Sequence, residues 1–540
     1  MSLFRTKPID KILSEAAEHG EGTLRRTLGA WSLTALGVGA IIGTGIFVLT
    51  GQAAAKHAGP AVIISMVLAG VVSLFAALCY AEFASSVPIA GSAYTYGYAT
   101  LGEFIAWIIG WDLILEYAFG AATVAVGWSG YVVSLLSDFG IQFPIQLSAA
   151  PGTRFVKLGS ELAGQLSQMK VGENLISAST GWNQINTNIE SGLTQAGQSL
   201  ANMETATAVF NLPGFLIAIA ITLLLIKGIK ESANFNTLIV IIKTSVVVLF
   251  IIAGIGYVNT ANFSPFVPTN TGTFGEFGLS GILTGASVIF FAYIGFDAVS
   301  TAAQETIDPQ KNMPRGILGS LLICTVLYVL VSFVMVGLVS YTQLNVPAPI
   351  AVAIDAAKNM AQGTPIGGIF QAFPLIIKIG AVLGLSSTMV VMVMGQPRVF
   401  YSMAKDGLLP EWAARVHPRF RTPHITTAIT GGIVAIMAGL VNISILGELV
   451  SIGTLFAFVI VSIGVIVMRR TQPGLERGFK VPLSPWIPAI SALVSLILMI
   501  GLPWDTWARL LVWMVIGIVI YFGYSYKHSH LNPNSASSTD

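Results

Sequence analysis

A glycine-rich stretch inside an apolar run constrains this chain more than any other feature. Residues 39–47 read Gly-Ala-Ile-Ile-Gly-Thr-Gly-Ile-Phe, within an apolar run from Trp31 to about Thr50. That run is long enough to cross a bilayer, but glycine costs about 1 kcal/mol relative to alanine in a helix, so a lipid-facing helix gains nothing from this pattern. Unwound backbone at membrane depth is tolerated only beside a water-filled cavity or inside protein. The stretch therefore predicts a binding site made of peptide groups, with close helix packing on small residues as the alternative.

The overall composition is that of a polytopic membrane protein. The 540-residue chain is 54% hydrophobic and 10% charged, whereas soluble proteins carry about 25% charged residues. We find no phosphate-binding loop, metal-ligand spacing or nucleophile motif. An enzyme, a cofactor or metal site, and a nucleic-acid partner therefore have no support in the sequence.

Hydropathy divides the chain into about twelve helical spans. They cover residues 31–50, 61–85, 103–135, 212–228, 236–258, 279–301, 316–340, 367–400, 425–442, 446–468, 485–503 and 506–525. Lys and Arg concentrate in the segments on the N-terminal side of the membrane. This bias predicts cytoplasmic N- and C-termini in a cell membrane.

A second break is predicted in span six, at Phe290-Phe291-Ala292-Tyr293-Ile294-Gly295-Phe296-Asp297. It lies five spans after the first break, in a span of opposite direction, as in an inverted repeat of five plus five spans. A half-helix that begins at Thr44 and Gly45 would direct free N–H groups at a carboxylate. Carbonyls that end the preceding half-helix, near Ala40 and Ile41, would accept hydrogen bonds from an ammonium. The two breaks together predict a site for the backbone of an L-amino acid.

The repeat divides the chain into regions around one long insertion. The regions are a cytoplasmic segment 1–30, a first repeat 31–258 with an extracellular insertion 142–209, a second repeat 279–468, two spans in 485–525 and a cytoplasmic tail 526–540. In the insertion, Leu158, Leu162, Leu166 and Met169 recur at helical spacing, which predicts one or two short amphipathic helices over the outer face. A tolerated surface insertion is the simpler interpretation. A lid, or a docking site for a small membrane-protein or extracellular partner, is the alternative.

Two carboxylates share one face of span three. Asp112 and Glu116 are four residues apart, and Glu116 lies past the midplane of the bilayer. An ionisable group at that depth is a functional candidate. Glu116 is therefore interpreted as a counter-charge for a basic substrate or as a proton carrier, with a structural carboxylate as the alternative. For Asp112 the structural interpretation is preferred.

Two lysines and one aspartate also lie inside spans. Lys243 in span five either snorkels to the inner surface or points into the bundle, where its ammonium would stand in for a coupling cation and exchange protons. Lys378 in span eight lies nearer the outer end, so snorkelling is preferred. Asp297 follows the second break and is either a proton carrier or a cap of the second half-helix.

Neutral residues near these groups have two interpretations each. Phe290 and Phe296 are interpreted as packing residues, and the hydroxyls of residues 386–388 as candidates to complete a cation or proton site. The basic and aromatic loop 398–424 is explained by the positive-inside bias, although contact with anionic membrane lipids is an alternative.

Five motifs carry a resemblance to a known family. They are Gly-Val-Gly-Ala-Ile-Ile-Gly-Thr-Gly-Ile-Phe at 37–47, Pro-Ile-Ala-Gly-Ser-Ala-Tyr at 88–94, Gly-Trp-Asp-Leu-Ile-Leu-Glu-Tyr at 110–117, Tyr-Ile-Gly-Phe-Asp at 293–297 and Gln-Glu-Thr-Ile-Asp-Pro-Gln-Lys-Asn-Met-Pro-Arg at 304–315. Over residues 25–525, apart from the insertion, the chain resembles the amino acid–polyamine–organocation transporter superfamily. Within it, the chain is similar to bacterial relatives of the cationic amino acid transporters.

The resemblance implies a fold and a set of site residues. The fold is all-α and polytopic, a LeuT-type inverted repeat of ten core helices with two more at the end. The substrate carboxylate would meet amides near Thr44 and Gly45. The substrate amino group would meet carbonyls near Ile41, Phe291, Ala292 and Ile294, with Phe291 as an aromatic gate.

The resemblance also implies a mode of coupling. Glu116 stands where the cationic branch carries an acidic residue, although relatives with that residue also take neutral amino acids. Lys243 matches a lysine of sodium-independent members that look proton-coupled. The sequence therefore predicts a proton-coupled symporter of cationic or small neutral L-amino acids. A proton-independent exchanger is the alternative, and a non-transporting membrane sensor or scaffold is a third interpretation.

Overall fold

The computed structural model describes most of the chain. The described residues are 3, 5–8, 28–87, 92–171, 174–175, 178, 181–185, 187–227, 233–362, 367–420 and 422–532. Most of the predicted segment 1–30, part of the tail 526–540 and residues 88–91 of the second motif lie outside them.

The described part of the chain is mainly helical. Its longer α-helices are α1 (Ala30–Ile41), α2 (Val62–Ser86), α3 (Ser92–Thr100), α4 (Glu103–Ile114), α5 (Gly120–Asp138), α6 (Ser160–Gln168), α7 (Thr187–Gln195), α8 (Leu212–Lys227), α9 (Ala233–Ile255), α10 (Gly278–Ile289), α11 (Pro309–Leu338), α12 (Pro349–Ala361), α13 (Phe373–Lys405), α14 (His424–Leu440), α15 (Ile443–Thr471), α16 (Trp486–Ile500) and α17 (Trp504–Ile520). Seven helical stretches among the described residues are long and apolar enough to cross a membrane, and five shorter apolar helices accompany them. The chain is therefore a multi-pass membrane protein, and each predicted span overlaps a helix.

The first two predicted spans are joined more tightly than the sequence indicated. One helical stretch of 42 residues runs over Gly45–Ser86 and includes the second half of span one and all of span two. The chain reverses at a π-helical turn, Ala54–Ala58, which is followed by Gly59. The φ of +60° at Gly59 strongly disfavours any residue other than glycine. This reversal brings α2 alongside α10, which precedes the second break.

Small residues let the helices of the bundle approach closely. α11 packs on both α1 and α2, and a side chain at Gly37 or Gly316 on these faces would overlap Ser320 or Leu33. Close backbone contact of this kind replaces the hydrophobic effect as the source of helix association in lipid. α1 is thereby fixed against α11 up to the point where it ends.

The insertion after α5 forms a small unit with its own apolar core. The predicted amphipathic helices are present as α6 and α7, but the sequence analysis missed an antiparallel sheet. Its strands are β1 (Arg154–Leu158), β4 (Gly181–Gln184) and β5 (Thr205–Thr207) in the order β4-β1-β5, next to a hairpin of β2 (Lys170–Val171) and β3 (Asn174–Leu175). Leu158, expected to begin a helix, ends β1, where it shares a core with Leu166 and Ile189.

Described segments near both ends of the chain meet at one face of the bundle. Arg5 donates a hydrogen bond to the carbonyl of Leu531 at 2.7 Å, and Lys7 forms an ion pair with Asp406 at 2.7 Å. An even number of membrane crossings would place the N- and C-terminal segments on the same side in this way. We refer to this face as the termini face and to the opposite one, which carries Asp138 and the insertion, as the outer face.

Candidate functional site

The first predicted break interrupts a helix where the glycines indicated. α1 ends at Ile41, and Ile42 takes an extended conformation with ψ of 101°. The helix resumes after Gly43 as a π-helix over Gly45–Leu49. The first N–H groups of this resumed segment have no acceptor one turn earlier, so they face the break.

The second break lies in the stretch that the sequence analysis identified. α10 ends at Ile289, a 3₁₀ turn covers Phe290–Tyr293, and Ile294 is extended with ψ of 136°. Gly295 then takes a φ of +122°, which favours glycine, and a 3₁₀ segment follows over Asp297–Glu305. Both predicted interruptions are confirmed.

The two breaks pack directly against each other. A Cβ atom added at Gly45 would overlap the backbone of Ala292, and one added at Gly295 would lie 2.8 Å from the carbonyl carbon of Ala40. The hydroxyl oxygen of Thr44 is buried at this junction and has no hydrogen-bond partner among the described residues. The glycines therefore permit an approach of two unwound backbones that leaves polar groups available.

Lys243 ties the first break to the rest of the bundle. It is fully buried on α9, and its Nζ donates to the carbonyl oxygens of Gly39 and Ile42, the latter at 3.1 Å. It also lies 3.4 Å from the hydroxyl of Thr388 on α13, and that hydroxyl donates to Ile42 at 3.0 Å. The sequence left open whether Lys243 snorkels or points into the bundle, and the structure shows that it points inward. Of the hydroxyl-bearing residues 386–388, Thr388 contacts the Lys243 ammonium.

Some of the predicted carbonyl acceptors already receive a hydrogen bond. The hydroxyl of Tyr328 on α11 donates to the Ile41 carbonyl at 2.8 Å, and the Ile294 N–H donates to the Phe291 carbonyl at 3.2 Å. A carbonyl oxygen has two lone pairs, so one acceptor position is left on each. Tyr328 was missed by the sequence analysis because nothing in an apolar span marks which tyrosine faces a break six spans earlier.

Two buried carboxyl groups meet on the other side of the break. Asp297 accepts hydrogen bonds from the Gly295 N–H at 3.2 Å and from the Tyr117 hydroxyl at 3.4 Å. Glu116 lies close enough to Asp297 for direct electrostatic interaction, and its Oε2 accepts from Thr454 at 3.3 Å. Gly295 precedes the second half-helix, which begins at Asp297, so this bond is not the predicted cap of that half-helix. Two carboxyl groups this close are easiest to accommodate when they share a proton.

Two further carboxyl oxygens nearby could still accept a hydrogen bond. Glu116 Oε1 and Asp112 Oδ1 are both buried without a hydrogen-bond partner in the described part of the chain. Asp112 lies beside the backbone of α15, 3.1 Å from where a side chain at Gly453 would begin. The structure thus does not provide the bonding expected of a purely structural Asp112.

Apolar side chains cover the space next to these carboxyls. A Cβ atom at Gly120 would lie 3.0 Å from Met392 Sδ and 3.9 Å from Phe291 Cε2. Phe290 and Phe296, in contrast, pack against Phe458 with ring centroids at 5.5 and 5.2 Å, so their interpretation as packing residues is confirmed. Gly120 and Met392 were missed by the sequence analysis, since small and apolar residues are common throughout every span.

Lys378 does not belong to this site. It is 1% exposed and forms ion pairs with Asp138 at 2.7 Å and with Asp355 at 3.3 Å, near the outer face. Snorkelling was therefore the wrong prediction, because the ammonium is covered by two carboxylates rather than exposed to the membrane surface.

Comparison with known proteins agrees with these observations. Residues 28–521 match the family model for amino acid permeases. The chain is 43% identical to a methylthioribose transporter of Bacillus subtilis (strain 168) over 98% of this chain and 99% of the relative. It is 45% identical to the branched-chain amino acid permease BcaP of the same organism, again over 98% and 99% of the two chains.

Plant relatives match over somewhat less of their length. The vacuolar cationic amino acid transporter 4 of Arabidopsis thaliana is 34% identical over 87% of this chain and 68% of the relative. The bacterial relatives fit residence in a cell membrane, and all of these matches indicate a transporter rather than an enzyme. With two interrupted spans that meet at a buried polar site, this chain belongs to the amino acid permease family of the amino acid–polyamine–organocation superfamily.

Proposed function

We propose that this protein is a secondary active transporter that takes up neutral, apolar L-amino acids by alternating access and couples uptake to protons. The observation that carries the proposal is the meeting of two unwound backbones at Gly45 and Ala292 beside a buried lysine. Such broken helices are the usual site architecture of secondary transporters. The membrane orientation that we propose has the termini face in the cytoplasm and about twelve spans, in inverted repeats over 31–258 and 279–468.

The substrate backbone would bind between the two breaks. Its carboxylate would accept bonds from the N–H groups near Thr44 and Gly45, supported by the positive end of the resumed helix. Its ammonium would donate to the remaining lone pairs on the carbonyls of Ile41, Phe291, Ala292 and Ile294. These contacts recognise the part that all amino acids share.

The substrate side chain would lie against the apolar wall. Phe291 and Met392 offer an apolar and adaptable surface beside Gly120, and Glu116 already interacts with Thr454 and Asp297. Two relatives named as branched-chain amino acid permeases, at 45% and 33% identity, favour the same substrate class.

Cationic amino acids are the second candidate class. The observation that favours them is Glu116 Oε1, a buried carboxyl oxygen without a hydrogen-bond partner among the described residues. A buried cation of the substrate would satisfy that oxygen. The plant relatives named as cationic amino acid transporters are 32–34% identical to this chain.

Proton coupling would use Lys243 together with Asp297 and Glu116. The Lys243 ammonium holds the carbonyls of the unwound stretch as a bound cation would. Loss of its proton would weaken its hold on those carbonyls, which links the protonation state to the shape of the substrate site. An exchanger without net proton movement is the alternative coupling mode.

Reconstitution tests the proposed function. Purified protein in proteoliposomes should accumulate labelled leucine above equilibrium when the inward proton gradient is present, and should take up arginine less well. A matched sodium gradient without a proton gradient is the control. Failure to accumulate any amino acid under either condition would overturn the proposal and leave an exchanger, or a sensor or scaffold, as the remaining interpretations.

A further inference from the structure

A buried lysine at the outer face joins three separate helices. Lys378 lies five residues into α13, and its Nζ donates to both oxygens of Asp138, at 2.9 and 2.7 Å, at the end of α5. The same Nζ is 3.3 Å from Asp355 on α12. The lysine side chain is 1% exposed, whereas those of Asp138 and Asp355 are 38% and 44% exposed. The Lys378 ammonium is thus shielded from solvent by the partly exposed carboxylates of Asp138 and Asp355.

The two ion pairs connect different kinds of neighbours. α5 and α13 pack along each other, so the Asp138 pair joins helices that are already in contact. α12 also packs on α13, and in addition it contacts the resumed part of span one, over Gly45–Leu49 and Thr50–Ala53. Its Pro349 occupies the space where a side chain at Gly51 would lie. The Asp355 pair therefore fixes to α13 a helix that covers the broken span.

Asp138 would keep the Lys378 ammonium paired if α12 moved away from α13. A buried ammonium left without a partner is strongly unfavourable. If α12 moved away from α13, Asp138 would still neutralise Lys378. Only the half-exposed Asp355 would lose a partner, and water would solvate it. The pair to Asp355 can accordingly break and form again at low cost, while the pair to Asp138 stays.

We propose that the Lys378–Asp355 ion pair is a latch that holds α12 closed over the outer end of the substrate site. The latch must break each time the site opens outward and form again each time it closes. Lys378 and Asp355 are positioning residues that set the balance between the open and closed outer face. The proposal rests on the proposed function for its place in a transport cycle, but the latch itself is a statement about α12.

Two isosteric variants separate a latch from a general structural role. Asp355→Asn and Asp138→Asn each remove one carboxylate from Lys378 and leave the other. A reporter cysteine replaces Val48, which is fully buried in the resumed helix beneath α12. The measured quantity is the rate at which a membrane-impermeant thiol reagent labels that cysteine from outside in cells. The native cysteines, Cys79 and Cys324, are both buried.

We expect Asp355→Asn to label about two- to ten-fold faster than the parent, which corresponds to the loss of one partly exposed ion pair. Asp138→Asn should label no faster than the parent, because Asp355 is then the carboxylate left beside Lys378 and opening would leave the buried ammonium unpaired. Asp355→Glu should restore slow labelling. Equal acceleration in both asparagine variants, or no acceleration in Asp355→Asn, would overturn the latch.

A kinetic measurement adds a readout that a structural role would not move. Asp355→Asn should lower the apparent KM for leucine from outside and lower the maximal rate, because the outward-open state is favoured. A variant that is merely less stable would lose maximal rate at unchanged KM. Labelling needs no substrate, so failure of amino acid uptake and failure of the latch are distinguishable.

Discussion

Lys243 and Lys378, the buried lysines among the described residues, differ in the groups that surround them. In the described part of the chain, Lys243 is held by two backbone carbonyls and a hydroxyl, whereas Lys378 is held by two carboxylates. Lys243 can release its proton without leaving a negative partner behind. Lys378 instead contacts carboxylates on two separate helices, so it joins α5 and α12 to α13. The comparison teaches that depth in a span does not define a lysine's role and that the partners do.

The strongest test of this contrast disturbs the backbone that holds Lys243. Gly45→Val would place its side chain into the backbone of Ala292, and displacement of a site by about 1 Å can cost about 100-fold in activity. We expect leucine uptake to fall by about that factor in proteoliposomes. Gly432→Val on α14, where nothing lies within 4 Å of the added Cβ, is the matched control and should transport normally. Normal uptake by the Gly45 variant would show that the two breaks separate easily.

Removal of the second lysine should reduce stability and leave coupling intact. Lys378→Met strands two carboxylates that are already half-exposed, so we expect a loss of about 1–3 kcal/mol, below the usual cost of breaking a fully buried pair. Thermal unfolding in detergent measures the loss, and Lys378→Arg should recover part of it. A Lys378→Met protein that folds well yet loses proton-driven accumulation would erase the distinction between the two lysines.

A Glu116 variant tests whether this carboxyl group serves substrate recognition or proton coupling. Glu116→Gln keeps the bond with Thr454 and removes the charge. If cationic amino acids use Glu116 as a counter-charge, arginine uptake should fall about ten-fold and leucine uptake by less than about three-fold. Competition of both substrates in one vesicle preparation measures this ratio. Equal loss for both would assign Glu116 to protons or structure instead.

The smallest expected effect concerns shape rather than charge. Gly120→Ala puts a methyl group between Met392 and Phe291, which should shift preference from leucine towards alanine by about three- to ten-fold, at or below the lower end of the effect of one methylene in an apolar pocket. Lys243 is not touched, so proton dependence should be unchanged. Initial rates over a series of apolar amino acids provide the measurement, and a flat profile would place the side-chain pocket elsewhere.

Much of the fold could be predicted because glycine and hydropathy act locally. The two breaks followed from Gly43, Gly45 and Gly295, whose missing side chains matter at their own positions. The direction of Lys243 could not be predicted, since a lysine midway along a span has the same periodicity whether it faces lipid or protein. The partner of Lys378 was hidden for a related reason. Asp355 lies 23 residues earlier in the sequence, on a separate helix, and helix spacing carries no information about that contact.

The insertion illustrates a different limit. Its helices α6 and α7 have a regular apolar period and were predicted, but its strands are only two to five residues long and mostly polar. Such strands form because Val156 and Leu158 bury against the helices, which is a property of the assembled unit. The site walls at Met392 and Tyr328 were missed in the same way, because their roles depend on which spans meet.

One reconstitution experiment separates proton coupling through Lys243 from exchange. Proteoliposomes with either the parent protein or Lys243→Met are loaded with leucine to measure exchange, or left empty and given an inward proton gradient to measure accumulation. We expect the parent protein to perform both exchange and gradient-driven accumulation. Lys243→Met should retain exchange but should not accumulate leucine. Gradient-driven accumulation by Lys243→Met at the parental level, with intact exchange, would contradict it.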